Sequence, residues 1–154
     1  MRLSHEQVER FDRDGYLMFP DVVSAAELAV LRSELQRIKG LDADPITREK
    51  NGEPRSVWGF HEKHLATASS AFRALAHAPR LIEPMKQVLR DDDLYIYQSK
   101  ANIKTAIDGQ VWQWHQDYAN WSKGDALPTP NVVSFLVMLE EATEFSGCLY
   151  FIPG

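Results

Sequence analysis

A histidine and an aspartate stand two positions apart in the aromatic stretch VWQWHQDYANW, which covers residues 111–121. If this stretch is a strand, His115 and Asp117 project from the same face, because side chains two residues apart share a face. A neutral imidazole and a carboxylate are two of the three ligands in the facial triad of non-haem iron oxygenases. The spacing therefore predicts part of a ferrous iron site that leaves positions open for a co-substrate and dioxygen.

The same spacing also has a structural interpretation, in which His115 is a partly buried strand histidine that is hydrogen-bonded to its neighbours. The preceding segment LYIYQSKANIK favours the site. Its alternation places Gln98, Lys100 and Asn102 on one face of a strand, although large apolar residues flank them. Such a face indicates contact with a polar ligand. The aromatic side chains that could wall the pocket are Trp112, Trp114, Tyr118 and Trp121.

The elements before these segments are predicted to be helices up to about residue 92. Ser4 with Gln7 and Ser24 with Glu27 have the form of capping boxes, and a glycine at position 15 or 40 ends each helix. Between them we predict a brief strand at 16–19, and after them a polar loop at 41–55. Further helices are expected over residues 65–76 and from Pro79 onward.

From about residue 93 the apolar period changes from about 3.6 to 2, which indicates a change from helices to sheet. We predict strands at 94–103, 111–118, 131–139 and 148–152, with turns at Asp108-Gly109 and Ser146-Gly147. The run 131–139 is almost wholly apolar and must be covered on both faces. The predicted fold class is α+β, with helices over about 1–92 and antiparallel strands over about 93–154 of one domain.

The composition of the chain limits the kinds of binding partner that we expect. The chain has 154 residues, 44% hydrophobic and 25% charged, as expected of one globular domain. The net charge of -5 and the lack of a basic run argue against nucleic acid or an anionic membrane and favour a small-molecule partner. Cys148 cannot form an internal disulfide, and we identify no signal peptide or membrane anchor, so we predict a cytoplasmic location.

Residues 112–154, WQWHQDYANWSKGDALPTPNVVSFLVMLEEATEFSGCLYFIPG, resemble the central motif region of the phytanoyl-CoA dioxygenase family, which are iron(II) and 2-oxoglutarate dependent oxygenases. The resemblance consists of W-H-x-D, Asp125 and Pro128 in a loop, the apolar strand and the turn and strand of 143–154. It implies helices followed by a double-stranded β-helix, or jelly roll. The likeness is to the ectoine hydroxylase branch and its small-substrate relatives, but the run after the histidine departs from ectoine hydroxylases at Gln116, Tyr118 and Asn120.

This resemblance also implies roles for residues. His115 and Asp117 would be iron ligands, and Asn102 would help to hold 2-oxoglutarate. Lys100 would be a candidate carboxylate contact. Gln98 and Trp121 would line the substrate pocket. The third ligand, a second histidine, and the arginine that pairs with 2-oxoglutarate are expected after residue 154, so we expect the chain to cover about the first half of the domain.

The implied reaction is hydroxylation of an unactivated C–H bond of a small molecule, such as an amino acid or a derivative, by Fe(II), 2-oxoglutarate and dioxygen, with succinate and carbon dioxide as co-products. Related halogenases replace the metal-binding carboxylate with a small residue, so Asp117 favours hydroxylation over halogenation.

Two other function classes stay open. One is a metal-dependent cupin isomerase or a ligand-binding jelly roll that does not consume 2-oxoglutarate. The other is an inactive truncated homologue that acts only as a binding module. His61 and His64 in HEKH would share one helix face, but they lack the i, i+4 spacing of the helical zinc motif, and we interpret them as solvated or supporting histidines.

Overall fold

The computed structural model describes residues 1–104 and 112–154. The helices of this part are α1 (His5–Asp14), α2 (Ala25–Lys39), α3 (Ser70–Ala76), α4 (Pro79–Leu89) and α5 (Asp117–Gly124). The strands β1 (Ile46–Arg48), β2 (Pro54–Trp58) and β3 (Lys100–Asn102) form one antiparallel sheet in the order β1-β2-β3. The described residues thus combine helices with antiparallel strands, as the sequence predicts.

The first two helices begin at the predicted caps. The Ser4 hydroxyl accepts a hydrogen bond from the Gln7 amide, and the Gln7 side chain accepts one from the Ser4 amide. Ser24 and Glu27 repeat this reciprocal pair at α2. These caps satisfy amides that have no partner within the helix, which explains why both helices could be located from the sequence. Pro79 begins α4, also as predicted.

The core lies between the sheet and the helices α2 and α3. Ile38 and Val57 are fully buried, and burying each aliphatic side chain contributes about 2 kcal/mol. The rings of Phe60 and Phe72 stack at 4.4 Å between centroids. The core cluster and the residues packed against it are Leu35, Ile38, Leu41, Ile46, Val57, Phe60, Phe72, Ala101 and Ile103. One face of the sheet is therefore committed to packing.

The prediction of a loop over residues 41–55 is wrong, because β1 and the beginning of β2 lie within it. The two strands form a hairpin through the Asn51-Gly52 dipeptide, and Gly52 has a φ of 87°. Asn-Gly between strands is a strong hairpin signal, since both residues tolerate a positive φ. In the sheet, Ser56 pairs with Asn102 and Trp58 pairs with Lys100, so the face opposite the core is polar and aromatic.

Several other predicted elements differ in the structure. Residues 16–19 form no strand, the strand predicted at 94–103 is reduced to β3, and α3 begins only at Ser70. The strand predicted at 111–118 is wrong because α5 begins at Asp117. Residues 131–139 and 148–152 also lie outside strands. A strand requires a hydrogen-bonded neighbour, which a period-2 pattern by itself does not supply.

His61 and His64 lie in turns and not on a helix, so the predicted common helix face does not form. The predicted turn at Asp108-Gly109 and residue Val111 lie outside the described residues. Across the described ranges, every helix is too short or too polar to cross a membrane.

Candidate metal and substrate site

The two proposed metal ligands meet at the beginning of α5. His115 lies in the irregular segment before the helix, and Asp117 is its first residue. The distance between His115 Nε2 and Asp117 Oδ1 is 3.3 Å, and the side chains are 44% and 54% exposed. The carboxylate lies at the helix N-terminus, where the helix dipole favours a negative charge. The two side chains therefore converge and are open to solvent.

The imidazole is oriented for metal binding through Nε2. His115 Nδ1 lies 2.6 Å from the Gln113 carbonyl oxygen. A carbonyl only accepts hydrogen bonds, so Nδ1 is the donor in this contact, and in a neutral imidazole with that donor Nε2 is the nitrogen that offers a lone pair to a metal. Histidine ligands in metal sites commonly donate their other N–H to a backbone carbonyl in this way.

The donor separation also fits one small cation. Two donors at right angles around an octahedral ion, with bonds of about 2.1 Å, lie about 3 Å apart. The 3.3 Å between Nε2 and Oδ1 is close to this separation. Within residues 1–104 and 112–154, no third histidine, cysteine, aspartate or glutamate joins them to complete a metal-binding group. A histidine nitrogen and a carboxylate oxygen are the donor types of two of the three ligands in the facial triad.

Lys100 lies close to this pair. Its ammonium is 4.1 Å from the centre of the Trp58 ring and 4.5 Å from that of Trp112, so two indoles contact one cation. Burial lowers the pKa of Lys100, while the nearby negative charge of Asp117 raises it and the positive charge of Arg55 lowers it further. Indole faces attract the protonated form. Lys100 is therefore a partly desolvated cation within electrostatic range of Asp117, and not a freely solvated strand lysine.

Arg55 is a residue of this region that sequence reasoning missed. Its guanidinium carbon lies 5.0 Å from the centre of the Trp112 ring, so Arg55 and Lys100 both contact this indole. Its Nε is buried without a hydrogen-bond partner among the described residues and lies 3.9 Å from Glu49 Oε1. The Asn51-Gly52 hairpin signal could have placed Arg55 on a strand.

The predicted site residues are only partly brought together. Asn102 lies on β3 on the same face as Lys100, and its side chain is exposed. Gln98 is exposed in the segment before β3, and among the described residues it has no side-chain hydrogen bond. The structure thus brings His115 and Asp117 together, and it places Lys100 and Asn102 on one face of β3, while Gln98 is exposed before that strand.

Trp121 lies one helical turn after Asp117, and residues four apart on a helix share a face. The edge of the Trp121 ring meets Tyr97 at 5.4 Å between centroids and an angle of 68°. The Tyr97 hydroxyl donates a hydrogen bond of 2.5 Å to Asp125 Oδ2. Tyr97 is a second residue that sequence reasoning missed. Its position next to Gln98 was visible, but its partner 28 residues away was not.

A family model of phytanoyl-CoA dioxygenase (PhyH) matches residues 11–154. Among curated relatives, the ectoine dioxygenase of Sphingopyxis alaskensis is 34% identical over 157 residues, which cover 99% of this chain and 49% of that protein. The L-proline trans-4-hydroxylase of Streptomyces griseoviridis is 32% identical over 149 residues, covering 94% of this chain and 52% of that protein. The chain thus spans about half the length of these relatives.

Solved structures of related proteins also resemble this chain. The crystal structure of EctD from S. alaskensis with 2-oxoglutarate and 5-hydroxyectoine matches with a TM-score of 0.70 and 35% identity, over 82% of this chain and 44% of that one. The structure of EctD from S. alaskensis with bound Fe matches with a TM-score of 0.68 and 34% identity, over 77% of this chain and 42% of that one. Because the family model covers nearly the whole sequence and these folds agree, the chain belongs to the phytanoyl-CoA dioxygenase family.

Proposed function

We propose that the protein is an Fe(II) and 2-oxoglutarate dependent hydroxylase of a small molecule. The observation that carries this proposal is the 3.3 Å approach of His115 Nε2 to Asp117 Oδ1, with the imidazole proton held on Nδ1 by a backbone carbonyl. Membership of the family and the ectoine and proline hydroxylating relatives support it. The fold of the complete domain would be a double-stranded β-helix, and its location the cytoplasm.

Each residue of the site has a task in this proposal. His115 and Asp117 would hold the metal through one nitrogen and one oxygen. When bound, ferrous iron with 2-oxoglutarate and dioxygen supplies the oxidation that turns a C–H bond into C–OH and releases succinate and carbon dioxide. The chain's own residues would bind and orient the substrate near the metal.

The charged residues indicate which ligands would bind. Lys100, partly desolvated between Trp58 and Trp112, is suited to a carboxylate, and Arg55 adds a second positive charge next to Trp112. Asn102 offers an amide on the same sheet face for 2-oxoglutarate. Trp121, and Gln98 if it turns inward, would contact the substrate. We propose an amino acid or a related zwitterion as the substrate class.

The proposal is tested by measuring metal binding to the full-length protein. Anaerobic titration with iron(II) and 2-oxoglutarate should produce the weak visible charge-transfer band of the ternary complex. In His115→Ala or Asp117→Ala the metal should bind about 100-fold more weakly or worse, and the band should disappear. Succinate formation that depends on substrate should be lost in parallel.

Matched controls are available on the surface. The His64 side chain is 75% exposed and the Asp92 side chain is 96% exposed. The variants His64→Ala and Asp92→Ala should therefore keep the charge-transfer band. Metal binding without the 2-oxoglutarate band would overturn the proposal in favour of a cupin-type protein. The absence of both would overturn it in favour of a binding module without turnover.

A further inference from the structure

The helix that carries Asp117 and Trp121 is weakly anchored. None of the residues of α5 is buried. The Tyr118 hydroxyl reaches only to the Pro128 carbonyl, 3.4 Å away and in the same segment. Among the described residues, the bond from Tyr97 to Asp125 is the one side-chain hydrogen bond that joins α5 and its cap to residues 1–104. Tyr97 therefore connects the helix with the segment that enters β3.

Two backbone amides after α5 donate hydrogen bonds to the Trp121 carbonyl. Asp125 is the C-cap residue, and its amide donates to the Trp121 carbonyl at 2.9 Å. The amide of Leu127 donates to the same carbonyl at 3.2 Å. Between them, Ala126 has a φ of 54°. Any displacement of Asp125 would move the carbonyl of Trp121, and with it the indole.

Tyr97 contacts this unit twice. Its hydroxyl fixes the Asp125 carboxylate at 2.5 Å, and its ring packs against the edge of Trp121. Removing the hydroxyl leaves the ring contact in place but releases the cap. Since the proposed metal ligands lie at the other end of the helix, this change should reach the substrate wall before it reaches the metal.

We propose that Tyr97 is a positioning residue, which sets the place of the Trp121 indole through Asp125. The inference rests on the proposed function, because Trp121 matters only if it contacts a substrate. Tyr97 itself touches neither the metal ligands nor the reacting atoms. Its loss should raise the KM for the substrate about 10-fold and change kcat by no more than about twofold, in the range seen when residues that orient ligands are removed.

In the experiment the full-length protein is labelled with 5-fluorotryptophan and studied by fluorine NMR. The Trp121 signal is assigned as the one that is missing in Trp121→Phe. Tyr97→Phe should shift or broaden the Trp121 signal and leave iron(II) binding unchanged. Tyr95→Phe is the matched control, since Tyr95 is 78% exposed and only two residues away. It should leave the signal and the KM unchanged. Asp125→Asn, which keeps an acceptor oxygen, should give a smaller shift.

The outcomes separate the two proposals. An unchanged Trp121 signal in Tyr97→Phe, with a circular dichroism spectrum that shows a folded protein, overturns the positioning role. A shifted signal with an unchanged KM also overturns it, because the indole would then have no part in substrate binding. If the unmutated protein forms no 2-oxoglutarate complex, the proposed function has failed, while the fluorine signal still decides whether Tyr97 places Trp121.

Discussion

At the scale of single residues, the site depends on backbone atoms as much as on side chains. The carbonyl of Gln113 orients His115, and no substitution of the Gln113 side chain removes that carbonyl. The correct tautomer of the imidazole therefore depends on the path of the chain between residues 113 and 115. A change that alters this path should weaken the proposed metal binding without touching either proposed ligand.

Lys100 shows two opposing effects on one ammonium group. Burial lowers its pKa, and the indoles of Trp58 and Trp112 stabilise its charged form. The Trp58 indole is itself fixed, because its Nε1 donates a hydrogen bond of 3.1 Å to the Ser56 hydroxyl. A bound carboxylate would favour the charged form further. The arrangement therefore holds a cation in place before any ligand arrives.

Tyr97 gives a pH-dependent prediction. The hydrogen bond to Asp125, with burial and the charge of Asp125 acting in the same direction, raises the pKa of Tyr97 to about 12. Because the folded pKa lies above the ordinary value of 10, the contact contributes stability that is complete below pH 10 and is lost as the pH rises toward 12. The stability difference between the unmutated protein and Tyr97→Phe should therefore shrink over this window.

Tyrosinate absorbance checks this titration directly. At pH 11 the unmutated protein and Tyr97→Phe should show nearly the same absorbance, because Tyr97 is still mostly protonated. Asp125→Ala, which removes both the hydrogen bond and the charge, should show more tyrosinate than the unmutated protein at the same pH. A clear loss of absorbance in Tyr97→Phe at pH 11 would contradict the raised pKa.

At the scale of elements, the sequence predicts features that depend on neighbouring residues, but it does not predict which strands pair with each other. The capping boxes of α1 and α2 bond residues three apart, so a short window of sequence contains all of the information. The partner of β3 is β2, more than 40 residues earlier, and no local pattern states this. The Asn51-Gly52 dipeptide did signal the β1–β2 hairpin, but the polar residues around it favoured the loop interpretation.

The segment with the proposed metal ligands forms a different element from the one predicted. The period-2 pattern after residue 93 predicts a strand over 111–118, and the common face of His115 and Asp117 follows from that strand. In the structure the chain enters a helix at Asp117, and the two side chains meet because His115 folds back toward the first turn. The helix start at Asp117 that places the two side chains near each other could not be predicted from the period-2 pattern.

The two glycines that end the first helices give a matched prediction. Gly15 has a φ of 79° and Gly40 a φ of -78°, and a methyl group at either position meets no atom closer than 3.5 Å. Gly15→Ala should lower the free energy of unfolding by about 1–2 kcal/mol, because only the left-handed conformation penalises it. Gly40→Ala should leave it unchanged or raise it by about 0.5 kcal/mol. Urea unfolding of both variants measures this, and equal effects would contradict the explanation.

At the scale of the whole molecule, the described residues have a packed part and an uncovered part. The core joins α2, α3 and the sheet. In contrast, residues 133–139 alternate between half-buried and exposed side chains, with Leu136 54% and Met138 47% exposed. Arg32 ties the end of this run to the core helices by donating a hydrogen bond to the Leu139 carbonyl and pairing with Glu140. One face of the run is therefore held against the protein and the other is apolar and open.

An apolar row of this kind promotes self-association. The 154-residue chain should bind the dye ANS and sediment as a concentration-dependent mixture, and Leu136→Lys with Met138→Lys should reduce both effects without lowering the unfolding midpoint. Val137→Lys is the matched control on the opposite, half-buried side. It should lower stability by about 2 kcal/mol or more, because a charge would be placed against packed side chains. If the double variant unfolds as readily as Val137→Lys, both faces of the run are packed, and the exposed row is not a true surface of the folded chain.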